Sequence, residues 1–308
     1  MSSAAQVDVV VVGAGFAGLY ALHKLRSEGH SVVVFEAASD VGGTWFYNRY
    51  PGARCDVESI DYCYSFDKDL QQEWTWTEKY ATQAEILTYI NHVADRFDLR
   101  RDIRLSTRVV SATLDEETLR WTVTTDKGDT VVARFCVMAT GALSEPLLPN
   151  IPGVETFAGE TYHTANWPHA GVDFTGKRVG LIGTGSSGIQ STPIVAEEAA
   201  ELVVFQRTPN FSVPAGNEPL TAEREAEVKA NYDQRRELSW RSGGGSPHMA
   251  HPKLTMELSD EERRAEFEKR WQLGGVLFSK TFLDQMVDPV ANAEAKKFYE
   301  EKVRAVID

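Results

Sequence analysis

The sequence is poor in cysteine, with three residues, Cys55, Cys63 and Cys136, among 308. They form no CxxC motif and no metal-ligand spacing, and an odd number in a reducing compartment favours free thiols. We therefore predict no disulfide framework and no metal site, and we interpret the cysteines as small buried side chains.

Long apolar runs and an excess of positive charge are also missing. The longest apolar run, around Val7–Val12, is far shorter than the roughly 20 residues that span a bilayer, and no basic region precedes a cleavable apolar segment at the N-terminus. A net charge of -13 argues against a nucleic-acid surface and against docking on anionic lipid. We expect a cytoplasmic protein whose partners are small molecules, and the sequence is silent on oligomeric state.

The N-terminal segment has the order of a βαβ unit. A continuous valine run leads into Gly13, Gly15 and Gly18, which match GxGxxG, and an amphipathic helix and a second strand follow. The first glycine allows the tight turn, the second lets a pyrophosphate approach the backbone, and the third lets helix and strand pack closely. Phe16 opens the helix. Glu36 ends the second strand 23 residues after Gly13, where a carboxylate can accept hydrogen bonds from ribose hydroxyls.

A second unit begins at Lys177 and repeats this order with Gly183, Gly185 and Gly188. At the position of the acid it carries Gln206, followed by Arg207 and Thr208. A carboxylate would repel a 2′-phosphate, whereas a guanidinium binds one through charge-assisted hydrogen bonds. The second site is therefore expected to bind NADP(H), and the first a dinucleotide with a free ribose.

Two dinucleotide sites in one chain suggest a flavin and a nicotinamide that exchange a hydride. Their order predicts FAD in the first site and NADPH in the second. The fold class is predicted to be α/β, with two Rossmann-like dinucleotide-binding domains: an FAD domain with a β-meander and an NADP domain with a helical extension.

The remaining segments fit this plan. A helix is expected around Gln83–Arg96, and short strands around a turn at Asp126–Gly128 form the meander. Charged, alanine-rich and glutamate-rich helices follow Leu220, interrupted by a flexible glycine-serine stretch. The Gly42-Gly43 pair is followed by the aromatic residues Trp45, Tyr47, Tyr50 and Tyr62, and whether these form core or cofactor wall stays open at this point.

Three motifs together resemble the flavin-dependent Baeyer-Villiger monooxygenases, of the kind that includes phenylacetone and steroid monooxygenases. They are the tandem glycine motifs, the GGxW stretch that leads through Tyr50-Pro51-Gly52 to Asp56, and a match to the family fingerprint FxGxxxHxxxWP. The fingerprint residues are Phe157, Gly159, His163, Trp167 and Pro168.

The resemblance implies a reaction and a domain layout. NADPH would reduce FAD, and a C4a-peroxyflavin would insert one oxygen atom of O2 next to a ketone carbonyl to give an ester or lactone. The implied domains are residues 1–150 (N-terminal part of the FAD domain), 151–175 (linker with the fingerprint), 176–220 (NADP-binding core) and 221–308 (helical extension). His163 and Trp167 would couple domain movement to the state of the nicotinamide. The alternative is that His163 has only a structural role, between packed domains.

The resemblance also assigns further residues. Asp56 matches the aspartate that charge-pairs with a family arginine, and that arginine lies in a C-terminal part that this sequence lacks. Arg54, Cys55 and Asp56 match a stretch that faces the nicotinamide, and Thr44, Trp45 and Tyr62 match positions that line FAD. Val109 would offer backbone to the adenine. The NADP pyrophosphate would be surrounded by Thr184, Gly185, Ser186, Ser187, Gly188 and Ile189. The Ala139–Gly141 segment resembles the strand end where the chain leaves the FAD sheet. The alternative is an ordinary glycine between a strand and a loop.

Three alternatives compete with this interpretation. A flavin disulfide reductase needs a redox cysteine pair just after the GG turn, where Trp45 stands instead. An N- or S-oxidising flavin monooxygenase shares both cofactors, and the complete HxxxWP ending argues against it. A non-catalytic NADPH-binding fragment also remains possible.

Overall fold

The strands and helices follow one another largely in the order that the sequence periodicity predicts. The computed structural model describes residues 5–143 and 145–307. The strands are β1 (Ala5–Val12), β2 (Val32–Phe35), β3 (Ile103–Arg104), β4 (Val109–Asp115), β5 (Arg120–Thr125), β6 (Thr130–Met138), β7 (Arg178–Ile182) and β8 (Glu201–Phe205). The α-helices are α1 (Phe16–Ser27), α2 (Thr44–Tyr47), α3 (Lys68–Glu73), α4 (Gln83–Arg96), α5 (Ser186–Glu198), α6 (Ala222–Ala230), α7 (Tyr232–Arg241), α8 (Asp260–Leu273) and α9 (Pro289–Arg304).

The chain divides into two compact units, each built from separate stretches. The first contains the chain up to Ala53, Gln83–Arg178 and Ile194–Glu201, and the second contains Arg54–Thr82, Val179–Pro193 and the chain from Leu202 onward. The domain limits expected at residues 150, 175 and 220 stay a prediction. In the described part of the chain, no helix combines the length and the apolar composition that a membrane crossing requires.

The first unit is built on a six-stranded sheet with the order β3-β2-β1-β6-β5-β4. Strand β1 pairs in parallel with β2 and β6, and β4, β5 and β6 form the predicted antiparallel meander. Val9, Val10 and Val11 of β1 are buried. Their burial explains the uninterrupted valine run, because a strand covered on both faces shows no alternation.

Helix α4 matches the predicted limits and shows why its sequence is amphipathic. Ile86, Tyr89, Ile90 and Val93 are fully buried. Their spacing of three and four residues places them on one face of the helix. The turn at Gly128, with φ +83°, joins β5 to β6 as predicted.

The second unit carries the neighbouring strands β7 and β8 and the C-terminal helices. Its apolar core is aromatic: Phe267 of α8 lies within 5.3–5.7 Å, between ring centroids, of Phe278, Phe282 and Phe298. The helices begin at clear sequence signals. Ser259 and Glu262 form a capping box before α8, and Asp288 accepts hydrogen bonds from the first amides of α9, whose first residue is proline.

Each glycine motif depends on a position that tolerates no side chain. A Cβ on Gly188 would lie 2.3 Å from the carbonyl oxygen of Gly183, whereas a Cβ on Gly185 would meet no atom within 4 Å. The third glycine of the second motif is therefore required by packing, whereas the second has room for a Cβ.

This contrast predicts different stabilities for two alanine variants. Gly188→Ala forces helix and turn apart and is expected to lower the free energy of unfolding by about 1–3 kcal/mol. Gly185→Ala, the matched control, is expected to change it by less than about 0.5 kcal/mol. Urea denaturation of both variants measures the difference, and equal midpoints would contradict the packing explanation.

Candidate nucleotide-binding sites

The first glycine turn is formed where β1 ends against the end of β6. Gly13 has φ +103° and donates its N–H to the carbonyl oxygen of Phe35 at 2.8 Å. A Cβ on Gly13 would lie 2.6 Å from the carbonyl oxygen of Ala139, and one on Gly18 would lie 1.9 Å from that of Gly13. The Ala139–Gly141 strand end therefore packs directly on the turn, which fits the interpretation drawn from the resemblance.

The Gly42-Gly43 pair closes on the same turn. Gly42 donates its N–H to the carbonyl oxygen of Ala14 at 3.1 Å, and a Cβ on Gly43 would lie 2.9 Å from the Cα of Gly15. Helix α2 starts immediately after this pair, so Thr44 and Trp45 are positioned next to the turn. The structure thus brings together predicted residues that are about thirty positions apart in sequence.

Glu36 is a buried carboxylate that accepts hydrogen bonds from backbone N–H groups. Its side chain is 5% exposed, its Oε2 accepts the N–H of Ala14 at 2.6 Å, and its Oε1 accepts the N–H of Ala38 at 2.7 Å. Among the described residues it makes no ion pair. An ionised carboxylate has about four acceptor positions, so two backbone bonds leave capacity for ligand hydroxyls. The fit to a ribose is good, and the contact itself stays a prediction.

Val109 lies close in sequence to a residue that contacts Glu36. Thr107 donates its N–H to the carbonyl oxygen of Glu36 at 2.8 Å, and Val109 begins β4 two residues later. Phe16, the first residue of α1, is half-buried, and its ring centroid lies 6.2 Å from that of Tyr89. Both residues therefore lie in the unit that carries the first turn.

The second glycine turn repeats this geometry with different side chains. Gly183 has φ +102° and donates its N–H to the carbonyl oxygen of Phe205 at 2.9 Å. Gln206, at the position of the acid, donates through Nε2 to the Oγ1 of Thr184 at 2.9 Å. Thus Glu36 and Gln206 both hold a residue of their own glycine turn. Asn210 also donates, to the carbonyl oxygen of Thr184 at 2.7 Å, and sequence reasoning missed it.

Arg207, next to Gln206, is the residue that we predict to bind a phosphate at the second site. It is exposed and, within the part of the chain that the structure describes, has no hydrogen bond or ion pair. Thr208 next to it is exposed as well. A guanidinium in this state can turn toward a bound anion without breaking a protein contact. The residues fit a 2′-phosphate, and that assignment remains a prediction.

A cavity of about 540 Å³ opens beside the second turn, entirely within the second unit. Thr184, Gly185, Ser186 and Ile189 line it, together with Arg54, Cys55 and Asp56, as the resemblance implies. Ser187 lies in the first turn of α5. Tyr62 belongs to the same unit but is not among the residues that line this cavity.

A reciprocal amide contact holds the Arg54–Asp56 stretch at the cavity. The backbone N–H of Arg54 donates to the Oε1 of Gln190 at 3.3 Å, and the Nε2 of Gln190 donates back to the carbonyl oxygen of Arg54 at 3.1 Å. The Arg54 guanidinium pairs with Glu78 at 3.0 Å. Gln190 follows Ile189 directly and was missed, because only the fold shows that α5 meets this stretch.

The three cysteines of the described structure are not paired with one another. All three are free thiols, and burial, the main cause, raises the pKa of Cys55 to about 11. A thiol that stays protonated near neutral pH is a poor nucleophile. Residues 5–143 and 145–307 also contain no cluster of three or more histidine, cysteine or acidic side chains arranged for a metal.

The fingerprint residues lie in the first unit and are locally interlocked. A Cβ on Gly159 would lie 2.6 Å from the ring of Phe157, so this ring packs over the glycine. The Nδ1 of His163 accepts the N–H of Ala165 at 3.2 Å, and the Trp167 ring packs against those of Tyr162 and Phe174. Pro168 accepts the N–H of Gly171 at 3.0 Å. The role of His163 in domain movement stays a prediction.

Comparison with known proteins identifies the family. Residues 6–214 match the FMO-like family of flavin-binding monooxygenase-like proteins, which is more than half of the chain. The chain belongs to this family. The resemblance drawn from the motifs is confirmed at this level, and the flavin disulfide reductase is excluded.

The similar members of the flavin-binding monooxygenase-like family are longer proteins. A Baeyer-Villiger monooxygenase of Pseudooceanicola batsensis is 46% identical over 98% of this chain and 56% of its own length. A phenazine N-monooxygenase of Lysobacter antibioticus is 44% identical over 97% of this chain and 56% of its own length. The chain therefore spans little more than half of the curated relatives that it matches.

A solved structure confirms the fold class. An oxidized steroid monooxygenase bound to NADP has 67% sequence identity and a TM-score of 0.95, over 98% of this chain and 58% of that one. The α/β fold expected from the two glycine motifs is thus that of a flavin-binding monooxygenase-like protein.

The exposed guanidinium predicts a cofactor preference. Arg207→Ala removes the charge that would meet a 2′-phosphate, so binding of NADPH should weaken roughly 10- to 100-fold, the effect of losing a charge-assisted hydrogen bond or a bidentate pair. Binding of NADH should change less than about twofold, because it has no such phosphate. Calorimetric titration with both nucleotides measures this difference, and equal losses would refute the assignment.

Proposed function

We propose that this chain is the cofactor-binding part of an NADPH-dependent flavoprotein that inserts one oxygen atom of O2 next to a ketone carbonyl, to give an ester or lactone. The observation that carries the proposal is the pair of glycine turns with opposite side-chain chemistry: the buried Glu36 at the first and the exposed Arg207 at the second. The names of three relatives suggest the reaction and its ketone substrate: a Baeyer-Villiger monooxygenase, a cyclohexanone 1,2-monooxygenase and an acetone monooxygenase that forms methyl acetate.

Each turn has a distinct task in this proposal. At the first, the backbone of Gly13–Gly18 would receive the FAD pyrophosphate and Glu36 its ribose. At the second, Thr184–Ile189 would receive the NADP pyrophosphate, and Arg207 the 2′-phosphate. When bound, NADPH supplies a hydride and FAD accepts it and activates dioxygen. Helix N-termini suit both pyrophosphates, because their free N–H groups and dipoles favour anions.

Asp56 is the acidic residue that the proposal places at the reacting groups. It lines the cavity beside the second turn and, among the described residues, makes no ion pair. Its carboxylate is thus free to orient a cation. We propose that it pairs with a guanidinium that stabilises negative charge during oxygen insertion.

A second function is favoured by one observation. The phenazine N-monooxygenase is nearly as similar to this chain as the Baeyer-Villiger enzyme, at 44% against 46% identity. Oxygenation at nitrogen is therefore the alternative. Ketone oxygenation ranks first because a Baeyer-Villiger monooxygenase, a cyclohexanone 1,2-monooxygenase and an acetone monooxygenase are all among the relatives.

Anaerobic reduction tests the cofactor assignment. The protein reconstituted with FAD is expected to be yellow, and NADPH should bleach its absorbance near 450 nm, with NADH at least roughly tenfold less effective at equal concentration. A colourless protein after reconstitution, or no bleaching by NADPH, would contradict the assignment.

Product analysis tests the oxygenation. The reconstituted protein receives NADPH and O2 with either a ketone or phenazine, and the products are identified by mass spectrometry. An ester from the ketone supports the first function, and an N-oxide from phenazine alone supports the second. Hydrogen peroxide without either product would contradict both reactions and leave the cofactor assignment intact.

A further inference from the structure

One wall of the cavity in the second unit carries a tyrosine hydroxyl with no protein partner. Tyr80 lines the cavity together with Arg54 and Asp56, and the residue is 3% exposed. Within the described residues its hydroxyl makes no hydrogen bond. The hydroxyl therefore has no protein acceptor to give up, and it is available to a ligand in the cavity.

The backbone around Tyr80 is fixed from both sides. Its N–H donates to the Oδ1 of Asn217 at 3.0 Å, and its carbonyl oxygen accepts from the Arg54 guanidinium at 3.4 Å. The flanking carbonyl groups of Lys79 and Ala81 accept the N–H groups of Ser59 and Cys55, at 2.8 and 3.0 Å. The side chain of Tyr80 therefore starts from a fixed position in the cavity wall.

A glycine keeps the hydroxyl uncovered. A Cβ on Gly275 would lie 3.1 Å from the Tyr80 hydroxyl oxygen, and Gly275 also lines the cavity. Tyr299, which also lines the cavity, has a hydroxyl that is hydrogen-bonded to the protein. Its hydroxyl donates to the carbonyl oxygen of Ser212 and accepts the N–H of the same residue, both at 3.1 Å. Of these two cavity tyrosines, Tyr80 is the one left for a ligand.

The hydroxyl is a donor at physiological pH. Burial, and then the carboxylates of Glu58 and Asp56, raise the pKa of Tyr80 to about 12. A phenol that keeps its proton is a hydrogen-bond donor, and a carbonyl oxygen on a ligand can accept that bond. Two sources of a carbonyl fit the proposed function: the nicotinamide carboxamide and the ketone.

The position of Tyr80 favours the nicotinamide. The cavity wall that contains Tyr80 and Arg54 is joined to α5 by the contact between Arg54 and Gln190. Gln190 follows Gly185 by five residues, a distance of about 7.5 Å along the helix at 1.5 Å per residue. If the pyrophosphate of NADP(H) lies at the start of α5, the nicotinamide ribose and the nicotinamide ring extend from it over a length comparable to this distance. The carboxamide would then reach the tyrosine.

We propose that the Tyr80 hydroxyl donates a hydrogen bond to the carboxamide oxygen of the nicotinamide and so positions the ring of NADP(H). This inference rests on the proposed function, because it takes NADP(H) as the occupant of the cavity. Tyr80 is a ligand-positioning residue that works through binding.

Titration of NADP⁺ in the absence of ketone tests the proposal. Tyr80→Phe should weaken NADP⁺ binding roughly 3- to 10-fold, the effect of losing one neutral hydrogen bond. The loss should shrink to less than about twofold with thio-NADP⁺, whose sulfur is a weaker acceptor, and vanish with 2′,5′-ADP, which has no nicotinamide. Tyr232→Phe is the matched control, since it removes another buried hydroxyl of this unit away from the cavity.

The outcomes distinguish a failure of the role proposed for Tyr80 from a failure of the proposed function. Equal losses with NADP⁺ and thio-NADP⁺, or unchanged NADP⁺ binding by Tyr80→Phe, would overturn the role of Tyr80. A variant that binds NADP⁺ normally but shows a raised KM for ketone would place the hydroxyl on the substrate instead. If the unchanged protein binds no NADP⁺, the proposed function itself fails. Thermal unfolding of both variants establishes that any loss is not a folding defect.

Discussion

The close approach of backbone to backbone at the two glycine turns is the constraint on which both candidate sites depend. Gly18 lies so near the carbonyl of Gly13, and Gly188 so near that of Gly183, that a single added carbon would collide with it. This contact lets a helix start directly after the end of a strand. The first N–H groups of α1 and α5 are consequently presented at a point where an anion can meet them.

The turns differ in what surrounds them, and the difference has a chemical consequence. The first is enclosed by Gly42-Gly43 and Ala139, and its acid, Glu36, is buried and bonded to backbone N–H groups. At the second, Gly183 and Gly185 face open space, and Gln206 replaces the acid beside the exposed Arg207. We propose that one backbone design serves a site for a free ribose and a site for a 2′-phosphate, and that charge rather than shape distinguishes the two nucleotides.

Local features of both units could be predicted from the sequence. The GxGxxG spacings, the position of Glu36 and the limits of α4 depend on neighbours within about thirty residues, so their patterns are complete in the sequence. Long-range contacts could not be predicted. The parallel pairing of β6 with β1, the contact of Gln190 with Arg54 and the uncovered hydroxyl of Tyr80 each join segments whose proximity depends on the whole unit.

The aromatic core of the second unit illustrates the same limit. The start of α9 was marked by Asp288 and Pro289, yet nothing local indicates that Phe298 packs against Phe267. For Arg54, Cys55 and Asp56, the prediction of a position at the nicotinamide came from the family resemblance and not from local patterns. In the structure these residues line the cavity beside the second turn.

Hydrogen exchange measured with each cofactor separately tests the division of labour between the turns most directly. FAD should slow exchange of the backbone amides at Gly13–Gly18 and leave those at Gly183–Ile189 unchanged, and NADP⁺ should do the reverse. Protection of both turns by one nucleotide, or of neither by both, would contradict the assignment of two distinct sites.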